Sequence, residues 1–279
     1  MLHEVSREAV EFVDAETTVN TYSFLRPYYL SLVFNSRHPI LKRAEVRKAI
    51  NEALDRAAIV KDGLRGRGSV AEGPIWPQHW AFPGSGQGFD FDLRSARTRL
   101  DAAGFPVRPD ADGTPRRFSF SCLMFANDGR FDRITAAVQK QLADVGIDMR
   151  VEPVQQDKLE PRLASGDFDA FIFEFAGRSL SWTYRFWRTG QGLMNNGYTG
   201  GDAILDRMRT ARSDADVKAA AIDLARAFHD DPPAAFLAWQ ETTRAVSTSF
   251  DVAAEKDRDI LTSIWQWQRA REPRKLASR

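Results

Sequence analysis

The sequence predicts an α/β protein with a mixed sheet, because segments with strand-like and helix-like periodicity alternate along most of the chain. The clearest example is residues 117–154, where an apolar strand, an amphipathic helix and an alternating strand follow one another as a βαβ unit. A second is the continuously apolar run 168–175, which is typical of a central strand covered on both faces. The length of 279 residues allows one large domain or two small ones.

The elements before this unit follow from local patterns. Aromatic and β-branched residues at 28–34 predict a buried strand. Apolar residues at three- and four-residue spacing between positions 46 and 64 predict a helix, and the glycine, proline and aromatic residues of 67–88 predict an ordered loop. Asp90 or Asp92 can cap a further helix, which Gly104 closes.

The elements after the unit are predicted in the same way. A short helix ends at Gly166, and the polar stretch 177–201 is expected to form a loop. Beyond it we expect helices at 202–212 and 214–229, strands at 235–239 and 244–246, and a terminal helix at 260–269.

Composition excludes several classes of partner. The 39 basic and 38 acidic residues are interspersed, so the chain lacks the basic surface that nucleic-acid binding needs, and the basic tail 269–279 is interpreted as a solvated end. No stretch reaches the roughly 18 to 20 apolar residues of a membrane span. Charged residues are spread through the first 16 positions, where a signal peptide would need an apolar core. The chain as given is therefore expected to stay cytoplasmic.

Residues that could carry catalysis or bind metal are poorly placed. Four histidines are widely separated, and no Gly-x-Ser-x-Gly turn presents a nucleophile. Cys122 is a single cysteine within an apolar run, which predicts a buried thiol and excludes an internal disulfide. We therefore expect neither an enzyme nor a bound cofactor or metal.

A cluster of aromatic, basic and amide residues follows the predicted central strand. Aromatic faces supply contact area for a small ligand, while arginine and asparagine fix its orientation, and ligands of α/β sheets favour this edge. The alternative is that Phe186 and Trp187 belong to the core and the arginines form a solvated rim. The predicted ligand-binding residues are Arg178, Ser179, Trp182, Tyr184, Asn195 and Asn196, with Trp80 from the aromatic loop.

Several sequence blocks together resemble one protein family. Residues 28–77 contain a strand that ends in Phe-Asn, a Val-Arg-x-Ala-Ile helix, an Ala-x-Asp-Arg step and a Pro-Ile-x-Pro turn. The Gly-Asp-Phe-Asp run at 166–169 and the Asp-Pro-Pro turn at 231–233 agree in order. Over about residues 24–252 the chain resembles the family 5 extracellular solute-binding proteins, which are ligand receptors of ABC importers.

This resemblance implies a fold and a division of the chain. The expected fold is the mixed-sheet lobe of a type II, periplasmic-binding-protein-like two-lobe fold, with the other lobe largely missing. Residues 24–252 would form the solute-binding lobe, the family's third domain. Residues 1–23 would belong to the other lobe, and residues 253–279 would form a terminal helix and basic tail.

The resemblance also implies a function without covalent chemistry. The protein would be a monomeric solute-binding subunit that captures a small peptide-like or anionic solute for an importer's permease and ATPase, and its full-length form would be periplasmic. Peptide-binding relatives often carry an aspartate after the strand equivalent to 168–175, whereas this chain has Arg178. A guanidinium attracts a carboxylate or phosphate and repels an ammonium, so an ordinary free-amine peptide is not expected. The alternatives are a cytoplasmic ligand-sensing domain and a non-functional truncated fragment.

Overall fold

A seven-stranded mixed sheet forms the centre of the computed structural model, which describes residues 1–6, 8–111, 113–192 and 194–276. Six strands lie in the order β1-β9-β2-β8-β6-β7, and β3 pairs with β9 on the side away from β2, the same side as β1. The sheet strands are β1 (Leu2–Val5), β2 (Val19–Phe34), β3 (Gly68–Val70), β6 (Phe118–Phe125), β7 (Ile147–Val154), β8 (Ala170–Ala176) and β9 (Ala234–Ser247). Two small hairpins pair β4 (Arg108–Pro109) with β5 (Pro115–Arg116) and β10 (Phe250–Asp251) with β11 (Gln268–Arg269).

The directions of the strands confirm the predicted mixed α/β sheet. Strand β6 runs parallel to both β7 and β8, as the predicted βαβ unit requires, whereas β2 runs antiparallel to β8 and to β9. The carboxyl ends of β6, β7 and β8 therefore meet at one edge of the sheet, which we call the carboxyl edge. The opposite edge, where β8 begins, is called the amino edge.

Helices cover both faces of the sheet, so the sheet separates two apolar cores. The first core joins Leu32 and Ile172 of the sheet to helices α2, α4 and α5, and the second joins Val33 and Phe171 to helices α6 to α9. The helices are α1 (Val10–Ala15), α2 (Ala44–Glu52), α3 (Arg56–Ala58, continued by a π-helical turn Ile59–Gly63), α4 (Leu93–Ala102), α5 (Gly129–Ala143), α6 (Gln156–Ser165), α7 (Leu180–Trp187), α8 (Asp202–Thr210) and α9 (Asp214–Asp230).

Strands β2 and β9 are much longer than their neighbours and extend beyond the carboxyl edge. The second half of β2 pairs with β8, whereas its first half, Val19 to Leu25, pairs only with β9. Beyond the edge, β1 joins the other side of β9, and Val5, Val10 and Ala245 form a small separate core. We call residues 1–25 and 241–276 the terminal portion. The predicted division of the chain at residues 23 and 252 remains a prediction.

Several elements differ from the sequence prediction. The helix predicted between positions 46 and 64 is divided into α2, α3 and the π-helical turn, and β3 lies within the predicted loop 67–88. Strand β2 begins nine residues earlier than position 28, and the two strands predicted at 235–239 and 244–246 are one continuous strand. Helix α7 lies within the stretch predicted as a loop. The terminal helix predicted at 260–269 is instead a 3₁₀ segment, Ile260–Gln266, which is broken at Ser263 and followed by β11. Residues 277–279 of the predicted basic tail lie outside the described residues.

No helix in the described ranges combines the length and apolarity that a membrane crossing requires. Cys122 of β6 is buried in the first core, as predicted.

Burial raises the pKa of the Cys122 thiol, so the nucleophilic thiolate is disfavoured in the folded protein. We expect an aromatic disulfide reagent to leave the native protein unmodified and to react with one thiol per chain in denaturant. Absorbance of the released thiolate measures this directly. Rapid labelling of the native protein at the denatured rate would contradict the packing described for β6.

Candidate functional site

The end of β8 is fixed by close contacts around Gly177. The Gly177 N–H donates to the Pro27 carbonyl oxygen of β2 at 2.8 Å. A Cβ atom at position 177 would overlap the Trp239 ring and lie 2.9 Å from the Pro74 carbonyl oxygen. The absence of a side chain therefore lets the loop after β3 and strand β9 close against the end of β8.

Arg178 and Ser179 lie at the carboxyl edge, as predicted. The Arg178 side chain is exposed, and it makes no hydrogen bond or ion pair within the described residues. Ser179 is the N-cap residue of α7, but its side chain accepts no capping hydrogen bond. The first-turn N–H groups of a helix carry partial positive charge and attract anions. An unpaired guanidinium thus lies next to the positive end of a helix.

Trp182, on α7, and Trp80, on the loop whose Pro74 contacts Gly177, present exposed aromatic surface. Trp182 is 38% exposed, stacks on Phe186 with 5.4 Å between the ring centroids, and lies under the Arg185 guanidinium. Trp80 is half exposed and stacks on His79, and its loop is held at the carboxyl edge through Pro74. Phe186 and the neighbouring Trp187 are buried, so the core interpretation is correct for these two residues.

Tyr184 faces away from Arg178 toward α8. Its hydroxyl donates to the Asp206 carboxylate at 3.0 Å, and the Arg209 guanidinium lies 4.8 Å from its ring centroid. With Leu180 and Met208 it lines a groove of about 600 Å³ between α7 and α8. Tyr184 therefore belongs to a different surface from Arg178.

Asn195 and Asn196 lie at the amino edge of the sheet. The Asn195 N–H donates to the Leu163 carbonyl oxygen at 2.8 Å, and its side-chain oxygen accepts from Arg37 at 2.8 Å. The Asn196 carbonyl oxygen accepts from the Ser36 N–H, just after β2 ends. Seven strand residues at about 3.3 Å each put roughly 20 Å between this edge and Arg178. The prediction that all seven residues form one site is therefore wrong, because the chain returns to the start of β8 before Asn195.

A cavity of about 530 Å³ separates the terminal portion from the carboxyl edge. It lies beside the first turn of α5, whereas α7 and the Trp80 loop pack on the other face of the sheet. None of the seven predicted residues is among the described residues that line it. Its lining comprises Glu4, Val5, Ser6, Glu8, Val10, Arg26, Arg67, Asp128, Gly129, Arg130, Arg133, Glu174, Glu241, Thr242 and Thr243.

Ion pairs cross the cavity or run along its wall. Arg133 of α5 lies 3.5 Å from Glu8, which links the carboxyl edge to the terminal portion. Arg26 lies 3.7 Å from Glu4, and Arg67 lies 3.4 Å from Glu241. The cavity is therefore lined by paired charges of both signs, in contrast to the unpaired Arg178.

Sequence reasoning missed this cavity, although one signal was present. Asp128 and Arg130 follow β6 directly, so the rule that directs ligands to the carboxyl ends of parallel strands also applies to them. Glu174 gave no such signal, because it lies inside the apolar run predicted as a central strand.

The sequence matches the model of the bacterial extracellular solute-binding proteins, family 5 (middle region), over residues 1–197. The chain belongs to this family. It is 26% identical over 255 residues to the oligopeptide-binding protein AppA of Bacillus subtilis, an alignment that covers 86% of this chain and 46% of AppA. It is 27% identical over 210 residues to the probable D,D-dipeptide-binding periplasmic protein DdpA of Escherichia coli, covering 69% and 38%.

Several solved structures show the same fold. NikZ from Campylobacter jejuni, in complex with Ni(L-His), superposes with a TM-score of 0.77 at 19% identity, covering 95% of this chain and 57% of NikZ. The B. subtilis AppA structure with a nonapeptide gives a TM-score of 0.77 at 22% identity, covering 96% and 56%. The chain thus spans about half the length of these relatives. The family consists of binding proteins and not of enzymes.

The contacts around Gly177 predict that alanine destabilises the protein at position 177 but not at position 73. Gly177→Ala should lower the free energy of unfolding by about 1–3 kcal/mol, because the added methyl overlaps Trp239 and Pro74. Gly73→Ala is the matched control, because its added Cβ meets no atom within 4 Å. Denaturant unfolding measures both, and equal stability of the two variants would contradict the packing described.

Asn195 should contribute to the stability of the fold and not to ligand affinity at the carboxyl edge. Asn195→Ala removes the acceptor of the Arg37 hydrogen bond, which should cost about 1 kcal/mol. Its effect on ligand affinity should be less than about twofold, as expected for distant, independent sites. A large loss of ligand affinity without a loss of stability would contradict this prediction and show that Asn195 contributes to ligand binding.

Proposed function

We propose that this chain is the solute-binding part of an ABC importer, which captures a small peptide-like or anionic solute without chemical change. The observation that carries the proposal is the unpaired Arg178 guanidinium beside the uncapped start of α7, at the carboxyl edge of the sheet. Such an arrangement recognises a carboxylate or phosphate, since both features favour negative charge at the same point.

The surrounding residues support this assignment. Trp182 and Trp80 supply exposed aromatic area, and the Ser179 hydroxyl is available as a donor because it makes no capping bond. Of the predicted ligand-binding residues we therefore retain Arg178, Ser179, Trp182 and Trp80 as the proposed contacts. The partners of the whole protein would be the permease and ATPase of the importer, and its site of action would be the periplasm.

The relatives bind ligands of different chemistry, so an anionic ligand is compatible with this fold. The structurally similar proteins were solved with a nonapeptide in B. subtilis AppA, Ni(L-His) in C. jejuni NikZ and agropinic acid in the binding protein AgaA. The free guanidinium of Arg178 favours a ligand whose carboxylate or phosphate is presented to the end of β8.

Replacement of Arg178 tests the proposal directly. Probes for isothermal titration calorimetry are inorganic phosphate, succinate and a tripeptide with a free or an acetylated amino terminus. Arg178→Ala should weaken the best-binding anionic probe at least about tenfold, the loss expected for one charge-assisted hydrogen bond in a partly exposed site.

The control is Arg226→Ala, which removes an exposed arginine from α9 and should leave the affinity for the same probe unchanged. The proposal requires that acetylation of the tripeptide does not abolish its binding. Equal affinities of the wild-type and Arg178→Ala proteins for every probe would overturn the proposed role of Arg178.

A further inference from the structure

We infer that the cavity between the terminal portion and the carboxyl edge binds an organic cation, an ammonium or guanidinium group, with Glu174 as the acceptor. This site goes beyond the proposed function, because none of the residues proposed to contact the anionic solute lines the cavity. It is a second recognition point, associated with the first core and not with α7.

Glu174 is held in the cavity wall with half of its carboxylate unused. It lies on the same face of β8 as Ile172, and its side chain is 21% exposed. Its Oε2 atom accepts hydrogen bonds from the Gln240 amide and, at 3.4 Å, from Arg130. Its Oε1 atom accepts no hydrogen bond in the described ranges. A largely desolvated carboxylate is stabilised by a further donor, and a charged donor stabilises it most.

Gln240 shows that the carboxylate is positioned and not merely exposed. The Gln240 side chain extends from a residue that is only 1% exposed, on β9, so it is a rigid support for Glu174. Because β9 and β8 lie on either side of β2, this hydrogen bond spans the central strand of the sheet. Such a support fixes the direction from which a ligand can approach the carboxylate.

Arg130 neutralises Glu174 only in part, because it lies 3.4 Å from Glu174 but makes several shorter contacts with Asp128. Its Nε atom lies 3.1 Å from both Asp128 oxygens, and its Nη2 atom lies 2.6 Å from Oδ2. The hydrogen bond with Asp128 and the nearby acidic groups raise the pKa of Arg130, so it stays protonated. Its Nη1 atom is shared between the Glu174 carboxylate, at 3.4 Å, and the Gln240 side-chain oxygen, at 3.2 Å.

The other charges of the cavity favour a cation over an anion or a metal. The described lining residues include four arginines, each within 4 Å of a carboxylate, and a fifth carboxylate, Glu174, that only shares Arg130, so this lining favours a cation over an anion. Within the described ranges no three His, Cys, Asp or Glu residues group together as metal ligands. The cavity volume of about 530 Å³ suits a small organic group.

Isothermal titration calorimetry with methylguanidinium chloride and methylammonium chloride tests this site in the full chain. We expect saturable binding of at least one probe to the wild-type protein. Glu174→Gln, which keeps the size and the contact with Gln240, should weaken that binding at least about tenfold, as expected for the loss of a charge-assisted hydrogen bond.

The matched control is Glu241→Gln, the same change in the wall of the same cavity at a carboxylate that has Arg67 to itself among the described residues, whereas Glu174 shares Arg130 with Asp128. It should change the affinity less than about threefold, because Glu241 is not the proposed acceptor of the cation. Glu174→Asp retains the charge on a shorter side chain. Its affinity for the cation probe should lie between that of the wild-type protein and that of Glu174→Gln. Unfolding midpoints of all variants establish that the proteins compared are folded.

Three results would overturn the inference: no saturable binding of either probe, equal losses for Glu174→Gln and Glu241→Gln, or unchanged affinity in Glu174→Gln. Arg178→Ala separates this site from the proposed function. It should weaken the anionic probes and leave the affinity for methylguanidinium unchanged. Failure of one site therefore leaves the other open to its own test.

Discussion

The pairing of β2 with β9 is the constraint on which the rest of the molecule depends. These two strands form the centre of the sheet and also run past the carboxyl edge to hold the terminal portion. The register shifts between Leu25 and Tyr29, where four steps along β2 match two along β9, and Pro27 lies within this shift. Proline has no N–H to donate, so it suits an interruption of the ladder. The free Pro27 carbonyl oxygen then accepts the Gly177 N–H, which joins the interruption to the end of β8.

This arrangement explains why the proposed ligand contacts lie where the strands leave the sheet. The parallel strands end at the carboxyl edge, while β2 and β9 continue, so a cavity opens on one side of the crossing strands and Arg178 is exposed on the other. Helix α7 and the aromatic loop border one side, with the second core beneath them, and the first turn of α5 borders the other. One side offers the unpaired Arg178, and the other offers the half-used carboxylate of Glu174.

The sequence predicted the elements whose side chains are sorted by core packing. Ile134, Val138 and Leu142 recur along one face of α5, and all three are buried in the first core. It missed the first half of β2 because that segment carries polar residues. One of them, Asn20, is buried, and its side-chain amide donates to the carbonyl oxygen of Arg274, a partner 254 residues away. Helix α7 was missed because it has only eight residues, and Glu174 was missed because its partner Gln240 comes from a distant strand. Long-range partners are not encoded in local periodicity.

The central claim is that the carboxyl edge, and not the amino edge, meets the solute. The most direct measurement is a two-dimensional amide NMR spectrum of the chain, titrated with succinate. The account predicts that the largest shifts occur at Arg178, Ser179 and the first turn of α7. Largest shifts at Ser36 and around Asn195 and Asn196, with an unchanged Arg178, would contradict it.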